Sequence, residues 1–258
     1  MGVVNVTPDS FSDGGRYLDA DAAIAHARRL VDEGADIVDV GGESSRPGAA
    51  PVPAARELER IAPVLEALAG GAVPVSVDTA KPEVMREAIG LGASMINDIN
   101  ALRAPGAPAA VAGADVAVCL MHMRGEPRTM QEAPRYADVV GEVCSFLAER
   151  AAAAVAAGIA PDRIVIDPGF GFGKTVAHNR ALLRSLDALA ALGYPVLAGL
   201  SRKSTLGRIT GRPAGERLAA SVAAALLAVE RGARILRVHD VAGTRDALKV
   251  LEWVMGDG

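Results

Sequence analysis

The sequence contains little cysteine and no run of basic residues, and both shortages exclude classes of protein. The two cysteines, Cys119 and Cys144, lack the C-x-x-C spacing typical of zinc sites, so we expect ordinary core thiols and neither disulfides nor bound zinc. The formal net charge is -4 at pH 7, which argues against a general nucleic-acid surface. Any chemistry with anions must therefore depend on local clusters of basic residues.

Long apolar segments are also missing. The most apolar stretch, residues 218–229, is rich in alanine and too short to cross a bilayer, which indicates a buried helix. The first residues lack the charged and apolar regions of a signal peptide. We therefore expect a cytoplasmic protein whose partners are small molecules, with no nucleic acid and no membrane among them.

Short β-branched runs alternate with longer segments that are rich in alanine and leucine and carry charges at helical spacing. This alternation indicates βα units and a parallel sheet. We predict strands at residues 3–6, 37–40, 73–77, 95–96, 116–120, 164–166, 196–200 and 235–238. We predict the following helices at residues 21–33, 54–69, 82–91, 105–112, 136–157, 177–192, 213–231 and 241–254.

Eight βα units in 258 residues fit a closed (β/α)8 barrel, or TIM barrel, better than an open doubly wound sheet. The expected fold class is therefore α/β, with one domain over residues 1–258. Active sites of this fold lie at the C-terminal ends of the strands and in the loops that follow them. Glycines that precede the strands are expected to end helices at the opposite face, and these are Gly34, Gly92, Gly158, Gly193 and Gly232.

Polar residues occur at nearly every predicted strand end. They are Asn5, Asp39, Glu43, Asp78, Asn97, Asp98, His122, Asp167, Ser201, Arg202, Lys203, Arg237 and His239. Any one of them could cap a helix or brace a loop, but a ring of them at one face indicates a converging site. Polar loops at residues 5–15 and 41–49 are either lids over that site or plain surface connections.

These polar residues divide by chemistry into two groups. The first comes from four strands and suits the edge of a flat heterocycle, because a carboxylate can accept two parallel N–H bonds; it comprises Asp78, Asn97, Asp167 and Lys203. The second group would suit a pyrophosphate, alone or with a divalent metal on its oxygens; it comprises Asn5, Arg46, Arg237 and His239.

Residues 167–175, "DPGFGFGKT", look like a phosphate loop of the type G-x-x-x-x-G-K-[ST]. The first glycine of that pattern would fall at position 168, where this chain has Pro168. Proline has no N–H to offer to a phosphate and fixes its own φ, so the match is poor. We expect the small residues to let the chain turn tightly and to bring Phe172 and Lys174 beside a ligand.

Eight short stretches follow one another along the chain: "NVTPDSFSDGG" at 5–15, "GGESSRPGA" at 41–49, "SVDT" at 76–79, "INDI" at 96–99, "MHM" at 121–123, "DPGFGFGK" at 167–174, "GLSRKS" at 199–204 and "RVHDV" at 237–241. In this order they resemble the motifs of the dihydropteroate synthase family. They extend almost from end to end, and the set is highly specific. The resemblance implies that p-aminobenzoate displaces pyrophosphate from 6-hydroxymethyl-7,8-dihydropterin diphosphate to give 7,8-dihydropteroate.

The resemblance also implies roles for residues. It assigns pterin binding to Asp78, Asn97, Asp167, Lys203, Met121 and Phe172, and diphosphate binding to Asn5, Arg46, Arg237 and His239. It places p-aminobenzoate beside Phe11, Ser45, Pro47 and Ser204, and Mg²⁺ near Asn5 and Asp9. Catalytic roles fall to Arg237, His239, Lys203, Arg46 and Asp78.

The implied mechanism needs no strong general base, because an aromatic amine is neutral near pH 7. Positive charges and the metal stabilise the departing pyrophosphate. The resemblance further implies sensitivity to sulfonamides and a homodimer formed through outer helices late in the chain. It also leads us to expect an incomplete first strand, because the family has residues before this motif, and such a strand would weaken closure at the lower face of the barrel.

Three alternatives to a dihydropteroate synthase stay open. Pterin-binding methyltransferase barrels share the aspartate and asparagine set, but they would not need the loops "SFSDGG" and "SSRPG". A catalytically silent pterin-binding paralogue would have no need of the diphosphate pocket, so the intact set Arg46, Lys203, Arg237 and His239 argues against it. A phosphate-loop NTPase is the weakest alternative, because of Pro168.

Overall fold

The computed structural model of the chain describes residues 1–7, 16–44 and 48–256, with only the backbone described at residues 16–19. The predicted site residues Asp9, Phe11, Ser45, Arg46 and Pro47 lie outside these ranges. Within them, no helix is both long enough and apolar enough to cross a membrane.

Eight parallel strands form one curled sheet, in which each strand pairs with the next along the chain. The strands are β1 (Gly2–Asn5), β2 (Val38–Gly41), β3 (Val75–Asp78), β4 (Met95–Asp98), β5 (Ala117–Met121), β6 (Ile164–Asp167), β7 (Val196–Ala198) and β8 (Ala233–Leu236). Because every strand runs in the same direction, all the carboxyl ends lie at the same end of the curled sheet.

Helices cover the outside of the sheet. They are α1 (Arg16–Asp32), α2 (Ala54–Leu68), α3 (Pro82–Gly90), α4 (Ala107–Ala112), α5 (Val139–Ala156), α6 (Val176–Arg184), α7 (Leu186–Ala190), α8 (Ser204–Thr210), α9 (Leu218–Glu230) and α10 (Val241–Met255). Short 3-10 turns occur at Pro161–Arg163 and Ala214–Glu216. The alternation of strands and helices confirms the predicted α/β class.

Except for β8, the strands are largely buried on both faces, as parallel strands covered by helices usually are. Every residue of β2, β4 and β6 is buried. Aliphatic side chains fill the space between sheet and helices, whereas a separate inner cluster holds Met95, Cys119, Val165 and Leu197. Cys119 is a free, buried thiol and Cys144 is a free, half-buried one, as predicted.

The two edges of the curled sheet are joined by backbone hydrogen bonds. The N–H of Val3 donates to the carbonyl oxygen of Val238 at 3.1 Å, and the N–H of Val238 donates to that of Met1 at 3.0 Å. On its other side, β1 pairs with β2 along all four of its residues, Gly2–Asn5. Strand β1 is therefore bonded to neighbours on both sides, an arrangement consistent with a (β/α)8 barrel.

Three predicted helices differ most from the structure. The helix predicted at 21–33 begins earlier, at Arg16. The predicted helix at 177–192 divides into α6 and α7 at Ser185, whose φ of -117° and ψ of 33° are not helical. The predicted helix at 213–231 starts later, at Leu218, and the short helix α8 before it was missed. Helix α8 ends where Gly211 adopts a left-handed conformation, and Pro213 nearby has no N–H with which to continue a helix.

The glycines predicted to end helices have positive φ angles, between 83° and 97°. At Gly34 the local bonding is that of a helix end, because its N–H donates to the carbonyl of Val31 and the next N–H donates to that of Leu30. These glycines lie at the amino ends of the strands. The polar residues of the predicted site lie at the other end of the sheet, where the strands have their carboxyl ends.

Candidate functional site

A cleft of about 620 Å³ opens at the carboxyl ends of the strands. Its lining includes these predicted site residues: Asn5, Asp78, Phe172, Lys203, Ser204, Arg237 and His239. They come from the ends of β1 and β3 and from the segments after β6, β7 and β8. The structure therefore brings together side chains that are widely separated in the sequence, as the barrel prediction requires.

The other predicted pterin-binding residues are buried beside this cleft. Asn97, at the end of β4, pairs in register with Asp78, and Met121, at the end of β5, pairs with Asp167. Each of Asn97, Met121 and Asp167 is at most 5% exposed. Asp78, Asn97, Met121 and Asp167 thus come from β3 to β6, four consecutive strands of the sheet.

Arg237 joins the two groups that the sequence suggested were chemically separate. Its Nε donates to Oδ2 of Asp39 at 2.6 Å, and its Nη2 donates to Oδ2 of Asp78 at 2.8 Å. Asn97 Nδ2 donates to the same Asp39 oxygen at 3.2 Å. A cation predicted for the diphosphate is therefore bonded to a carboxylate predicted for the pterin.

Asp39 is the residue of this network that sequence reasoning left without a role. Its side chain is fully buried, and its Oδ1 has no hydrogen-bond partner within the described part of the chain. An ionised carboxylate inside a protein needs a cation or several donors, and Arg237 supplies the cation. The available signal was its place in a buried strand, where a charge is rare unless it is paired.

Burial dominates the ionisation of the carboxylates in the site. It raises the pKa of Asp78 to about 7, with Arg237 opposing and Asp39 adding to the rise. Burial also raises the pKa of Asp167, against the positive charge of Lys203 and the N–H of Gly169. For Arg237 burial lowers the pKa, but the charges of Asp39 and Asp78 outweigh it and raise the pKa overall.

Lys203 lies at the junction of the cleft with the loop after β6. Its Nζ donates to the carbonyl oxygen of Phe170 and lies 4.8 Å from the centre of the Phe172 ring. Burial lowers the pKa of Lys203 to about 8, although the charge of Asp167 opposes this. A lysine with this pKa keeps its positive charge at neutral pH, so it can donate to a ligand acceptor.

His239 is oriented by Ser201. The backbone N–H of His239 donates to Ser201 Oγ at 3.2 Å, and the ring Nδ1 lies 3.0 Å from the same oxygen. The Ser201 hydroxyl can donate to Nδ1, and a ring that accepts at Nδ1 carries its proton on Nε2, where it can donate to an anion.

The glycines of residues 167–175 permit close packing and do not form a phosphate loop. Gly169 and Gly173 have φ angles of 67° and 62°, and a Cβ atom there would lie 2.0 Å from the carbonyl oxygen of His122 and 2.3 Å from that of Arg124. Lys174 is buried and bonded to His122 and Phe172, so it does not reach across a phosphate. Pro168 and the buried position of Lys174 therefore both argue against nucleotide binding at this loop.

The helix after this segment is closed by its own residues. Thr175 caps α6 by accepting the N–H of His178 at 3.1 Å, and the His178 ring accepts the N–H of Thr175 in return. This reciprocal cap occupies the N–H groups of Thr175 and His178, two of the donors at the helix start that an anion could otherwise use.

A second cleft, of about 570 Å³, shares Ser44 and Asp78 with the first. At its edge Lys81 pairs with both Glu43 and Glu57, and the Glu57 side chain is fully buried. Burial lowers the pKa of Lys81, but hydrogen bonds to the two glutamates raise it overall. This ionic cluster ties the loop after β2 to α2 and to the loop after β3.

The described residues contain no group of three or more His, Cys, Asp or Glu side chains that could hold a metal ion. Asn5 does offer an amide oxygen to the cleft, beside Arg237 and His239. Mg²⁺ is usually held by one or two protein oxygens together with phosphate oxygens and water. The donor chemistry of Asn5 therefore fits a magnesium ion that arrives with a diphosphate, and Asp9 lies outside the described residues.

The sequence of residues 1–239 matches the family of pterin binding enzymes, and the chain belongs to that family. It is 55% identical to the dihydropteroate synthase of Neisseria meningitidis serogroup B, covering 98% of this chain and 91% of the relative. It is also similar to two solved structures of the Xanthomonas albilineans dihydropteroate synthase. The structure with 4-aminobenzoic acid has 58% identity and a TM-score of 0.95, covering 100% of this chain and 93% of that one. The structure with 7,8-dihydropteroate has 55% identity and a TM-score of 0.91, covering 100% and 94%.

Proposed function

We propose that this chain is a dihydropteroate synthase, which condenses 6-hydroxymethyl-7,8-dihydropterin diphosphate with p-aminobenzoate to give 7,8-dihydropteroate and pyrophosphate. The observation that carries the proposal is the cleft in which Arg237 contacts Asp78 beside Lys203 and Phe172. The Xanthomonas albilineans relative, which has been solved with 4-aminobenzoic acid and with 7,8-dihydropteroate, supports the choice of substrates.

The finer architecture is part of the proposal. We infer that the curled sheet is a closed (β/α)8 barrel and that residues 1–258 form one domain. The hydrogen bonds between β1 and residue 238 support closure. The continuous apolar cluster, which has members from β1 through α10, supports a single domain.

We assign the pterin to the strand ends from β3 to β6, with Lys203. Asp78 and Asp167 are acceptors for ring and exocyclic N–H groups, and Asn97 and Lys203 supply donors to ring acceptors. Met121 and Phe172 belong to one small apolar cluster at the mouth, together with Met123 and Met130. Such a cluster provides the flat apolar contact that a bicyclic ring needs.

The diphosphate is assigned to the side of the cleft that Asn5, Arg237 and His239 line, together with Arg46. Asn5, with Asp9, would hold Mg²⁺, which when bound supplies positive charge to the diphosphate oxygens. The p-aminobenzoate site is assigned to Phe11, Ser45, Pro47 and Ser204, of which Ser204 lines the cleft.

In the reaction the C–O bond to the diphosphate breaks and its electron pair leaves with pyrophosphate, while the amine nitrogen forms the new C–N bond and loses one proton. Arg237 and the Nε2–H of His239 stabilise the negative charge that develops on the leaving group. The amine is neutral near pH 7, so the chain need not remove a proton before attack. The catalytic work of Arg237, His239, Lys203, Arg46 and Asp78 is therefore electrostatic and positional.

We also propose a homodimer that forms through the outer face of α9 and α10. These two helices expose apolar side chains, among them Leu218, Leu227, Val250, Trp253, Val254 and Met255. The Trp253 side chain is 83% exposed, which is unusual for a residue of this size unless a partner covers it. Sedimentation of the wild type and of Trp253→Asp tests the dimer. The proposed location is the cytoplasm.

The decisive test follows pyrophosphate release from dihydropterin diphosphate with p-aminobenzoate present and with it omitted. We expect rapid release only when both substrates are present, with dihydropteroate formed in equal amount. Release that does not need p-aminobenzoate, or heating experiments in which ATP but not the pterin diphosphate raises Tm, would contradict the proposal.

A further inference from the structure

In the glycine-rich segment, residues 167–175, the backbone carbonyl groups of four consecutive residues each accept a hydrogen bond from a side chain. Three of the donors come from other parts of the fold, and the fourth is Lys174 near the end of the segment. Lys203 Nζ donates to the carbonyl oxygen of Phe170, and Gln131 Nε2 donates to that of Gly171. Lys174 Nζ donates to that of Phe172 at 3.0 Å, and the Tyr136 hydroxyl donates to that of Gly173 at 2.9 Å. A loop held at every carbonyl over four residues is fixed in its path.

Lys174 is the buried member of this set. Its side chain leaves the segment and passes inward, where Nζ also lies 2.9 Å from His122 Nδ1 and donates to the carbonyl oxygen of His122 at 3.2 Å. The residue is 3% exposed. A lysine Nζ carries at most three protons, and these three acceptors account for all of them, so Lys174 has no donor left for a substrate.

The acceptors of Lys174 connect two strand ends. His122 follows β5, and its own backbone N–H donates to the carbonyl oxygen of Asp167 at 2.9 Å. Phe172 is in the loop after β6, and its ring lines the cleft. Lys174 therefore ties the residue after Met121 to the residue that presents the aromatic wall of the cleft.

Tyr136 supports the same loop from outside. It precedes α5, and its ring packs edge-on to that of His178 and beneath the guanidinium of Arg124, 4.4 Å from the ring centre. The single hydroxyl contact to Gly173 can be removed without creating a cavity, by the substitution Tyr136→Phe. This makes Tyr136 a mild probe of the same loop.

We propose that Lys174 and Tyr136 are positioning residues that hold Phe172 and Asp167 in place for the pterin ring without touching either substrate. The proposal rests on the proposed function, because it takes the ligand of this part of the cleft to be a pterin. Its distinguishing consequence is selectivity, since Lys174 and Tyr136 contact the carbonyls of the loop that carries Phe172, a residue assigned to the pterin.

The test measures the KM of each substrate and the kcat, together with the dissociation constant of the pterin diphosphate in the absence of p-aminobenzoate. For Lys174→Met we expect the KM and dissociation constant of the pterin diphosphate to rise about 10- to 100-fold, as the loss of charged hydrogen bonds predicts. For Tyr136→Phe we expect a rise of about 3- to 10-fold, as for one neutral hydrogen bond. The KM of p-aminobenzoate and kcat should change less than about twofold in both variants.

Tyr194→Phe is the matched control, because Tyr194 is a half-buried tyrosine before β7, at the face opposite the cleft. It should leave every constant unchanged. Hydrogen exchange supplies a readout that does not need catalysis: the N–H groups of Gly171 and Phe172, bonded to Asn179 and to the carbonyl of Gly169, should exchange faster in both test variants.

The outcomes separate this proposal from the proposed function. If the wild type binds no pterin diphosphate, both are wrong. If the wild type is active but the variants exchange faster with unchanged pterin affinity, or if both substrates weaken equally, the positioning role is wrong and the function stands. Should Lys174→Met fail to fold, the pterin affinity and exchange of Tyr136→Phe decide the matter alone.

Discussion

The guanidinium of Arg237 donates to the carboxylate of Asp78 at 2.8 Å, across 159 residues of chain. The pair joins the ends of β8 and β3, which are not neighbours in the sheet. It therefore spans the mouth of the curled sheet, and the charge of Arg237 opposes the rise in the pKa of Asp78 that burial causes.

Replacing Arg237 should distinguish the diphosphate side of the cleft from the pterin side. We expect Arg237→Ala to lower kcat by about one to two decades, the usual worth of a charge-assisted contact. We also expect a higher KM for the pterin diphosphate, because Asp39 and Asp78 lose their shared cation. For comparison, Asp167→Asn should raise that KM with less effect on kcat. A rate of pyrophosphate release unchanged by Arg237→Ala would contradict the role of this residue.

Substrate binding should depend on pH through Asp78. Burial raises the pKa of this carboxyl to about 7, and the ionised form is the one that accepts N–H groups from a pterin. The KM of the pterin diphosphate should therefore fall as pH rises through about 7, and Asp78→Asn should remove this dependence. A wild-type profile that is flat between pH 6 and about 8 would contradict the assignment.

The same pKa predicts how stability changes with pH. Between the unfolded value of 3.8 and about 7, folded Asp78 binds a proton that the unfolded chain does not. Its stabilising contribution is therefore greatest at low pH and is lost as pH rises through this range. Urea unfolding of the wild type and Asp78→Asn at pH 5 and at about pH 8 should show the variant gaining relative stability at the higher pH.

Lys174 should affect stability in the alkaline range. Burial lowers its pKa from 10.5 to about 7, with Asp167 opposing, so between these values the unfolded chain binds a proton that the folded chain does not. The stability of the wild type relative to Lys174→Met should accordingly rise from pH 7 to about pH 10, as urea unfolding can measure. Parallel stability profiles of the two proteins would show that the Lys174 pKa is not lowered.

Replacing Lys81, which pairs with Glu43 and Glu57, by an uncharged residue should destabilise the fold. Lys81→Met leaves the fully buried Glu57 without its cation and should cost about 3–5 kcal/mol in the free energy of unfolding. The double variant Lys81→Met/Glu57→Gln removes the stranded charge and should recover most of that loss. Lys249→Met, at a lysine whose side chain is 69% exposed, is the control and should change stability little.

Two glycines with similar backbone angles allow strain and collision to be separated. Gly193 has a φ of 83° and nothing within 4 Å of an added Cβ, whereas at Gly169 the added atom would meet the carbonyl of His122. Gly193→Ala should cost about 1 kcal/mol of stability. Gly169→Ala should cost more and also raise the KM of the pterin diphosphate, because the loop carrying Phe172 must move. Equal stability losses would mean that the loop relaxes freely.

The fold was largely predictable because its signals are local. Strands β3 and β6 are β-branched runs, and the charged residue that ends each of them, Asp78 or Asp167, marks the change from buried strand to open loop. The break at Ser185 and the short helix α8 were not predictable from periodicity. A serine occurs in many helices, and seven residues such as Ser204–Thr210 give too few turns for a helical pattern to emerge.

The sequence predicts which residues share the site better than it predicts which of them form hydrogen bonds with one another. Strand ends identify which residues share the mouth, so Asp78, Asn97 and Lys203 could be grouped from sequence. Which of them bond to one another depends on side-chain direction, and no spacing indicates that Arg237 turns toward Asp39. Likewise, the carbonyl contacts of Lys174 and Tyr136 arise from the path of a loop that sequence alone does not determine.

One oxygen atom of Asp39 accepts from both Arg237 and Asn97. A ligand anion that draws the guanidinium of Arg237 away from Asp39 therefore changes the hydrogen bond that Asn97 makes to Asp39. A ligand that binds the amide of Asn97 changes the bond of Arg237 to Asp39 in turn. The two ends of a single bound molecule are then thermodynamically linked through the protein. The separate affinities of a free pterin and of free inorganic pyrophosphate should consequently not combine into the affinity of the intact substrate, and calorimetry of the three compounds would give the size of that linkage.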